Sequence, residues 1–206
     1  MALDINALRA KLNTFQGQTK RSSAFWRPTE GKSQVRIVPL TDCPENPFIE
    51  LYFHYLGNRS HLSPISNGNP DPIAEFAENL RSEGTRDAYQ QARAFMPKLR
   101  TFAPVVVRGE EDMGVRFYSF GKTVYQALLT YINDPDYGDI THIETGRDIV
   151  VDYTPQEKSD TNFAKTTILV KPNQTPVSED ASLVERWTTN QPNLTTLFKE
   201  PSYEEL

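Results

Sequence analysis

One stretch of the chain combines basic and aromatic side chains in a way that suits a nucleic-acid groove. It runs from Arg93 to Lys122 and reads RAFMPKLRTFAPVVVRGEEDMGVRFYSFGK. Its first half has no acidic residue and four basic ones, although acids outnumber bases in the whole chain: Arg93, Lys98, Arg100 and Arg108. Cations follow the phosphates of a single strand, and flat side chains stack on its bases. The aromatic side chains of the stretch include Phe102, Phe117, Tyr118 and Phe120. The same pattern also fits a pair of core strands with solvated edges, and this stretch alone leaves both interpretations open.

A second candidate lies in the polar loop TPQEKSDTNFAK. Phe163 is its one aromatic residue, and Lys158 and Lys165 are near it in sequence. An exposed aromatic beside lysines is a stacking platform for bases. The alternative is a loop anchor whose ring folds back onto the core.

Catalytic motifs are weak throughout the chain. Gly121, Lys122 and Thr123 resemble the end of a phosphate-binding loop, but Arg116 stands where that motif needs a glycine. Several acids lie close together and could chelate magnesium for a nuclease: Asp134, Asp136, Asp139 and Glu144. The segment NDPDYGD is better explained as a turn, because proline, glycine and aspartate are the expected turn residues. No nucleophilic triad stands out, so the sequence predicts a protein that is not an enzyme.

Composition narrows the class further. The 206 residues suffice for one sizeable domain with arms, and a single cysteine, Cys43, excludes an internal disulfide framework. Three histidines and one cysteine cannot be grouped at zinc spacing, so no metal cofactor is predicted. The net charge of -5 is uneven, since residues 175–206 hold six acidic and two basic residues. No apolar stretch is long enough for a membrane span or a signal peptide, so we expect no membrane partner and a cytoplasmic location.

The pattern along the chain predicts short strands with a few helices. An amphipathic helix over residues 3–15 precedes a basic connector. Further helices are expected after Asp71 and Pro72, from Arg86 to Pro97, over 124–132 and in two short C-terminal pieces. Ile73, Phe76, Ala77 and Leu80 should give the first of these a buried face. The expected strands are residues 34–40, 48–55, 98–108, 115–120, 148–153 and 166–170.

These elements predict an α+β, mainly β fold. Five or so strands with a helix set among them match an OB-fold, a five-stranded Greek-key barrel, here with inserted and flanking helices. The predicted organisation is a helix and basic arm at 1–23, a core at 24–175 with a helical insertion at about 70–97, and a helical, acidic segment at 176–206.

The order and spacing of several segments resemble one known family, the helix-destabilising single-stranded DNA-binding proteins of T-even-like tailed phages, including cyanophages. The matching segments cover most of the chain: LRAKLNTF, Trp26 with VRIVPL, LRTFAPVVV, VRFYSFGKTVYQALLTYI, ETGRD, TNFAK and PSYEEL. The resemblance implies a coat protein for single-stranded DNA, without strong sequence preference, that acts in phage replication, recombination and repair in the host cytoplasm.

By position, the resemblance implies which residues line the DNA cleft. Lys98 and Arg100 match its basic cluster, Phe102 its following aromatic, Tyr118 the tyrosine before FGK, and Phe163 a later loop aromatic. By their charge, the neighbouring cations Arg116, Lys122 and Lys165 are expected to reach phosphates.

The resemblance also implies partners. The family uses a basic N-terminal arm to bind neighbouring copies cooperatively along the strand, and the matching motif here is Lys20, Arg21, Ser22 and Ser23. In this chain the motif follows the helix, which departs from the family's order. The family ends in a long acidic tail that recruits phage replication proteins, whereas this sequence stops at Leu206 and is either a short member or a shortened chain.

The best-known members hold a zinc ion with one histidine and three cysteines in the region that corresponds to His54–Pro97. This segment has no cysteine. We therefore expect helix packing through Ile73, Phe76 and Leu80 to replace the metal. Two alternatives to the DNA-coating function stay open: a magnesium-dependent nuclease built on Asp136, Asp139 and Glu144, and a phage structural or assembly protein with no role on DNA.

Overall fold

Runs of strands are separated by runs of helices along the chain, as expected for an α+β fold. The computed structural model describes residues 24–57 and 59–205. The strands are β1 (Phe25–Trp26), β2 (Gly31–Ile37), β3 (Ile49–Leu56), β4 (Arg59–Leu62), β5 (Lys98–Val107), β6 (Arg116–Phe120), β7 (Arg147–Thr154) and β8 (Lys165–Gln174). The helices are α1 (Pro72–Ser82), α2 (Arg86–Phe95), α3 (Lys122–Asn133), α4 (Ala181–Thr189) and α5 (Leu194–Leu197). The predicted helix at 3–15 and the basic motif Lys20–Ser23 lie outside the described residues.

Short-range sequence features explain where most of these helices and strands begin and end. Asp71 caps α1, because its side chain accepts the backbone N–H groups of Ile73 and Ala74 at 3.0 Å each. The predicted strand over 34–40 is shifted, since β2 runs from Gly31 to Ile37 and ends before Pro39, which has no N–H to donate. The sequence pattern missed β1 and β4, which are short and have no clear alternation.

The described residues form two compact units. Of these residues, the first unit comprises 24–47, Ala103–Ser119 and Thr130–Pro192. The second comprises 48–57, 59–102, Phe120–Leu129 and 193–205. Strand β5 contributes its second half to the first unit and its first half to the second.

The first unit is built on a sheet. The strand order is β1-β6-β5-β2-β7-β8, and β2 pairs antiparallel with both β5 and β7. Side chains alternate between the two sides of each strand, so Val35, Val107 and Ile149 share one face through register. All three are almost fully buried there, together with Ile37, Val105, Val151 and Val170. Burial of these aliphatic groups is the main stabilising contribution in this unit.

A second cluster of the first unit surrounds Trp187 of α4. Its ring is 2% exposed and belongs to a cluster with Val38, Val106, Val115 and Val177. The predicted C-terminal helix at this position is therefore held by an aromatic anchor.

The second unit combines a small sheet with a helix pair. β3 pairs with β4 and with the first half of β5, both antiparallel. Helices α1 and α2 pack against each other, and the rings of Phe76 and Phe95 meet edge to face at 5.4 Å. Ala77 is the buried residue of α1, whereas Phe76 is 50% exposed. The prediction that Phe76 lies on the buried face of this helix is therefore wrong, because its contact with Phe95 leaves half of the side chain in solvent.

Within residues 24–57 and 59–205, no helix is both long enough and apolar enough to cross a membrane.

Candidate nucleic-acid interface

The eight predicted DNA-binding residues divide equally between the two units. Lys98, Arg100, Phe102 and Lys122 belong to the second unit. Arg116, Tyr118, Phe163 and Lys165 belong to the first.

In the second unit, two predicted cations line an open groove on β3 and β5. The groove has a volume of about 410 Å³, and its lining residues are Tyr55, Lys98, Leu99 and Arg100. We call it the Tyr55 groove. Its position follows from strand register, since Phe53 is opposite Lys98 and Leu51 is opposite Arg100, which places Tyr55 on the same side of the sheet as both cations.

Among the described residues, none that lines this groove is acidic. Glu50, the acidic residue of β3, is opposite Thr101 and so lies on the other side of the strands from Arg100. Its carboxylate accepts a hydrogen bond from the Tyr125 hydroxyl at 2.8 Å. Burial, together with this bond, raises the pKa of Tyr125 to about 12. The groove therefore presents cations on a surface from which the nearest strand carboxylate points away.

The first turn of α3 lies close to this groove. A Cβ placed on Gly121 would be 3.7 Å from a terminal nitrogen of Arg100. Lys122, the next residue, is exposed at the start of the 12-residue helix. Backbone N–H groups at a helix start favour anions, so the helix start adds to the positive character around Arg100.

Phe102 does not line this groove as a free ring. It is 3% exposed, and its ring contacts those of Phe53 and Phe198 at centroid distances of 6.1 and 5.5 Å. Phe198 follows α5, and contacts Phe53 at 5.0 Å as well. A base cannot stack on a ring whose faces are covered, so burial places Phe102 in the core of the second unit rather than on its surface.

In the first unit, Arg116 and Tyr118 are also engaged inside the protein. Arg116 is 8% exposed, and its guanidinium donates to the Glu110 carboxylate at 2.5 Å. Tyr118 is 5% exposed and packs edge to face on Trp26 at 5.0 Å. Neither side chain presents the exposed group that a phosphate or a base would contact.

Phe163 behaves differently. Its side chain is 76% exposed, the highest value among the exposed large hydrophobic residues that the structure describes. Hydrogen bonds within the loop hold its backbone around Phe163. Thr161 Oγ1 donates to the Phe163 carbonyl at 3.0 Å, and Ser159 lies within hydrogen-bond distance of Thr161. Lys165, at the start of β8, is exposed as well. Of the two interpretations of Phe163, the structure supports the exposed one.

Lys158, the other lysine near Phe163 in sequence, has an acidic neighbour. Its ammonium lies 2.6 Å from the Glu30 carboxylate, and both side chains are more than half exposed. Such a surface pair contributes little to stability, but it partly neutralises the cation. Lys165 is therefore the better candidate for a phosphate contact beside Phe163.

One basic residue of the initial stretch, Arg108, has a structural role. It donates to the Asp148 carboxylate at 2.8–3.2 Å and to the Val177 carbonyl at 2.7 Å. Asp148 also lies 3.6 Å from the guanidinium of Arg36, which is fully buried. Burial lowers the pKa of Arg36 to about 10, although the charge of Asp148 raises it in part. These contacts link Arg36 and Arg108 to other elements of the first unit.

The packing around Arg36 also explains a glycine. A Cβ on Gly146 would lie 2.6 Å from a terminal nitrogen of Arg36 and 2.7 Å from the Ile140 carbonyl oxygen. Arg36 donates to the carbonyls of His142 and Thr175 at 2.8 and 2.7 Å. The same Cβ on Gly146 would lie closer still to the His142 carbonyl oxygen, so the close approach of two backbone carbonyls, together with the guanidinium, requires a residue without a side chain.

In the region where the resembling family holds zinc, this chain has a buried hydrogen-bond cluster. His54 lies 2.7 Å from Asp71 through Nε2 and 2.8 Å from the Phe95 carbonyl through Nδ1. Ser63 donates to the same Asp71 oxygen. Burial would raise the pKa of Asp71, but hydrogen bonds from Ser63, His54 and the backbone of Ala74 outweigh it, and the pKa is lowered. The cluster ties β3 to the start of α1 and the end of α2. Sequence reasoning missed it, having expected only Ile73, Phe76 and Leu80 to act here.

The acids of the nuclease alternative make turn contacts. Asp134 accepts the backbone N–H of Asp136 at 2.9 Å, and Asp139 accepts both the N–H and the hydroxyl of Thr141. Glu144 is exposed. Among the described residues, no three His, Cys, Asp or Glu side chains are grouped so that they could hold a metal ion. The turn interpretation of NDPDYGD fits these contacts.

A comparison with models of known protein families finds no match for this chain, and a search among curated proteins finds none either.

Proposed function

We propose that this protein binds single-stranded DNA without strong sequence preference and is not an enzyme. The observation that carries the proposal is the Tyr55 groove, in which Lys98 and Arg100 stand beside an exposed aromatic ring and no lining residue is acidic. Cations along a groove release counterions from phosphates, and aromatic rings accept any base. The same surface would bind duplex DNA poorly, because the bases of a duplex are stacked on each other.

Phe163 supports the proposal independently. Its ring is 76% exposed, so a base can stack on it, and Lys165 is close in sequence to receive a phosphate. Phe163 and the Tyr55 groove belong to different units, and each is proposed as a contact for single-stranded DNA in its own right.

The fold proposal is an OB barrel. The five barrel strands in chain order are β2, β5, β6, β7 and β8, and α3 lies between the third and the fourth. Across the sheet, neighbouring strands follow the order third, second, first, fourth, fifth. Greek-key barrels of this type bind oligonucleotides on the second and third strands and on the first and last connecting loops. In this assignment the loop with Phe163 is the last one, and β3, β4, α1 and α2 are an insertion in the first.

The biological setting follows from the resemblance to phage helix-destabilising proteins. We place the protein on single-stranded intermediates of phage replication, recombination and repair in the host cytoplasm. Its partners would be further copies of itself, bound through Lys20, Arg21, Ser22 and Ser23, and phage replication proteins. No cofactor is part of the proposal.

The test is a titration of fluorescently labelled oligo-dT followed by anisotropy at two salt concentrations, with a duplex of equal length as the control. A label on the DNA is preferable to intrinsic fluorescence, because Trp26 and Trp187 are only 6% and 2% exposed. We expect tight binding to the single strand that weakens steeply with salt, and weak binding to the duplex. Equal affinity for both DNAs, or none for either, would overturn the proposal and favour an assembly role. Cleavage of the oligomer with Mg²⁺ would favour the nuclease.

The self-association proposal has its own test. Replacing Lys20, Arg21, Ser22 and Ser23 by alanine should leave binding to a short oligomer intact and reduce binding to a long poly-dT, on which neighbouring copies meet. Equal losses on both lengths would instead assign the motif a direct contact with DNA.

A further inference from the structure

We propose that the Tyr55 groove is a nucleotide subsite, in which one base stacks on the Tyr55 ring while Lys98, which covers that ring in the free protein, moves to a phosphate. The inference rests on the proposed function and deepens it. It assigns the base contact of the second unit to Tyr55, which lies outside the basic stretch and is not among the cleft residues that the resemblance implies.

Tyr55 has the exposure that a stacking residue needs. It lies near the end of β3 and is 44% exposed, whereas Phe53, two residues earlier on the same side of the strand, is 3% exposed. The buried Phe53 fixes the strand against the core, and the strand in turn holds Tyr55 at the rim. A ring fixed by its backbone loses little conformational freedom when a base binds.

Lys98 occupies the position that a base would take. Its ammonium lies 5.6 Å from the centroid of the Tyr55 ring. A cation over an exposed ring is only weakly held, and the four-carbon stem of lysine lets the ammonium swing to a nearby acceptor. A base has a larger face for stacking than an ammonium, and its phosphate offers Lys98 a stronger partner.

Arg100 gives the site its second cation. It lines the same groove and lies near the start of α3, where a Cβ on Gly121 would be 3.7 Å from its guanidinium. With one cation on either side of Leu99 along β5, the strand can contact two phosphates that flank the stacked base.

A second pair in the same unit resembles this one and serves as a control. Tyr89 is 53% exposed, and Arg81 lies 5.8 Å from its ring centroid. However, Arg81 is also 3.5 Å from the Glu78 carboxylate. Arg81 and Glu78 belong to α1, and Tyr89 belongs to α2. A carboxylate paired with the cation competes with phosphate for it, so exposure and a nearby cation are matched while the charge environment differs.

The experiment compares Tyr55→Ala, Tyr55→Phe and the control Tyr89→Ala with the wild type. Each is titrated with oligo-dT and with an abasic oligomer of the same length, over a series of salt concentrations. We expect Tyr55→Ala to bind oligo-dT roughly 5- to 150-fold more weakly, the range for loss of one base stack. Its salt slope should stay unchanged, because no phosphate contact is lost. Tyr55→Phe should bind like the wild type, since the ring is kept, and Tyr89→Ala should be unaffected.

The abasic oligomer separates stacking from a folding defect. On this ligand Tyr55→Ala should match the wild type, because there is no base to lose. A variant that misfolds would bind both oligomers poorly, and then photocrosslinking of the wild type to an oligomer that carries 5-iodouracil decides the question, with Tyr55 expected in the crosslinked peptide.

Failure of this inference is distinguishable from failure of the proposed function. If the wild type binds oligo-dT and Tyr55→Ala binds equally well, the subsite is excluded while the function stands. If the crosslink maps to Tyr89, the inference is also overturned. If the wild type does not bind oligo-dT, both are overturned.

Discussion

Basic side chains in the two units have different surroundings, although the sequence gives them a similar context. In the first unit, Arg36 and Arg108 share the carboxylate of Asp148, and Arg116 donates to Glu110. In the second unit, Lys98 and Arg100 line an open groove with no acidic lining residue. Both kinds of surroundings occur along one stretch of the chain. Strand β5 begins at Lys98, and Arg108 is the first residue after its end.

The difference shows that burial and the position of carboxylates decide what a cation does. A buried guanidinium with a carboxylate and carbonyl partners would have to give up those contacts to bind a phosphate. An exposed lysine exchanges only water and counterions. The arginines of the first unit are therefore expected to affect stability, and the cations of the second unit to affect binding.

The largest effect should come from the carboxylate that the buried arginines share. Asp148→Ala leaves Arg36 fully buried without its charged partner, and loss of one member of a buried pair costs about 3 to 5 kcal/mol. Urea unfolding measures this loss. Asp152→Ala, on the same strand but half-buried, is the matched control and should change stability by less than about 0.5 kcal/mol. Equal effects of the two variants would mean that the Asp148 cluster contributes no special stability.

Two phenylalanines, one buried and one exposed, allow the effect of burial to be compared for a single residue type. Phe102→Ala removes a buried ring and should lower the free energy of unfolding by about 3 to 5 kcal/mol. Phe163→Ala removes an exposed ring, so it should leave stability within about 0.5 kcal/mol of the wild type and weaken binding to oligo-dT by about 1 to 3 kcal/mol. Thermal unfolding and anisotropy titration of both variants separate the two roles, and a DNA-binding defect in a fully folded Phe102→Ala would return Phe102 to the interface.

The second unit has a buried charge of its own, which predicts a pH dependence. The pKa of Asp71 is lowered below its ordinary value of 3.8, because the hydrogen bonds from Ser63 and His54 outweigh the cost of burial. An acid with a lowered pKa stabilises the fold above its ordinary pKa, and this contribution is lost as the pH falls through the lower, folded-state value.

Asp71→Asn should therefore cost about 1 to 3 kcal/mol at pH 7, the range for a buried group that loses a partner. The difference from the wild type should shrink as the pH falls below 3.8, where Asp71 of the unfolded chain becomes protonated, and should vanish below the lower folded-state pKa. Urea unfolding at pH 7 and in this acidic range tests this. Asp180→Asn, which removes the carboxylate that caps the exposed start of α4, should cost less stability at pH 7 than Asp71→Asn. A constant difference across the pH range would contradict the assignment.

The smallest effect concerns the salt dependence of binding. Lys98→Gln should reduce the slope of log affinity against log salt by about one, because one phosphate contact is lost. Arg116→Gln should leave this slope unchanged, since its guanidinium is paired with Glu110. Equal slopes for the two variants would remove the distinction between Arg116, which is paired with Glu110, and Lys98, which lines the groove.

Much of the fold could be predicted from local sequence signals. Asp71 and Pro72 define the start of α1, alternating and β-branched residues define β5 and β7, and the glycine-rich GEEDMG separates β5 from β6. These signals act within a few residues, through capping, steric preference and turn geometry, so the sequence alone determines them.

The candidate site depended on contacts that are distant in sequence. Tyr55 reaches Lys98 only through the register of β3 with β5, and Phe198 covers Phe102 from a segment 96 residues away. The sequence by itself determined most of the helices and strands and the supply of cations and aromatic rings. Only the tertiary structure decided which of them are buried and which face solvent, because strand pairing and the positions of partner carboxylates arise from long-range packing that no local pattern encodes.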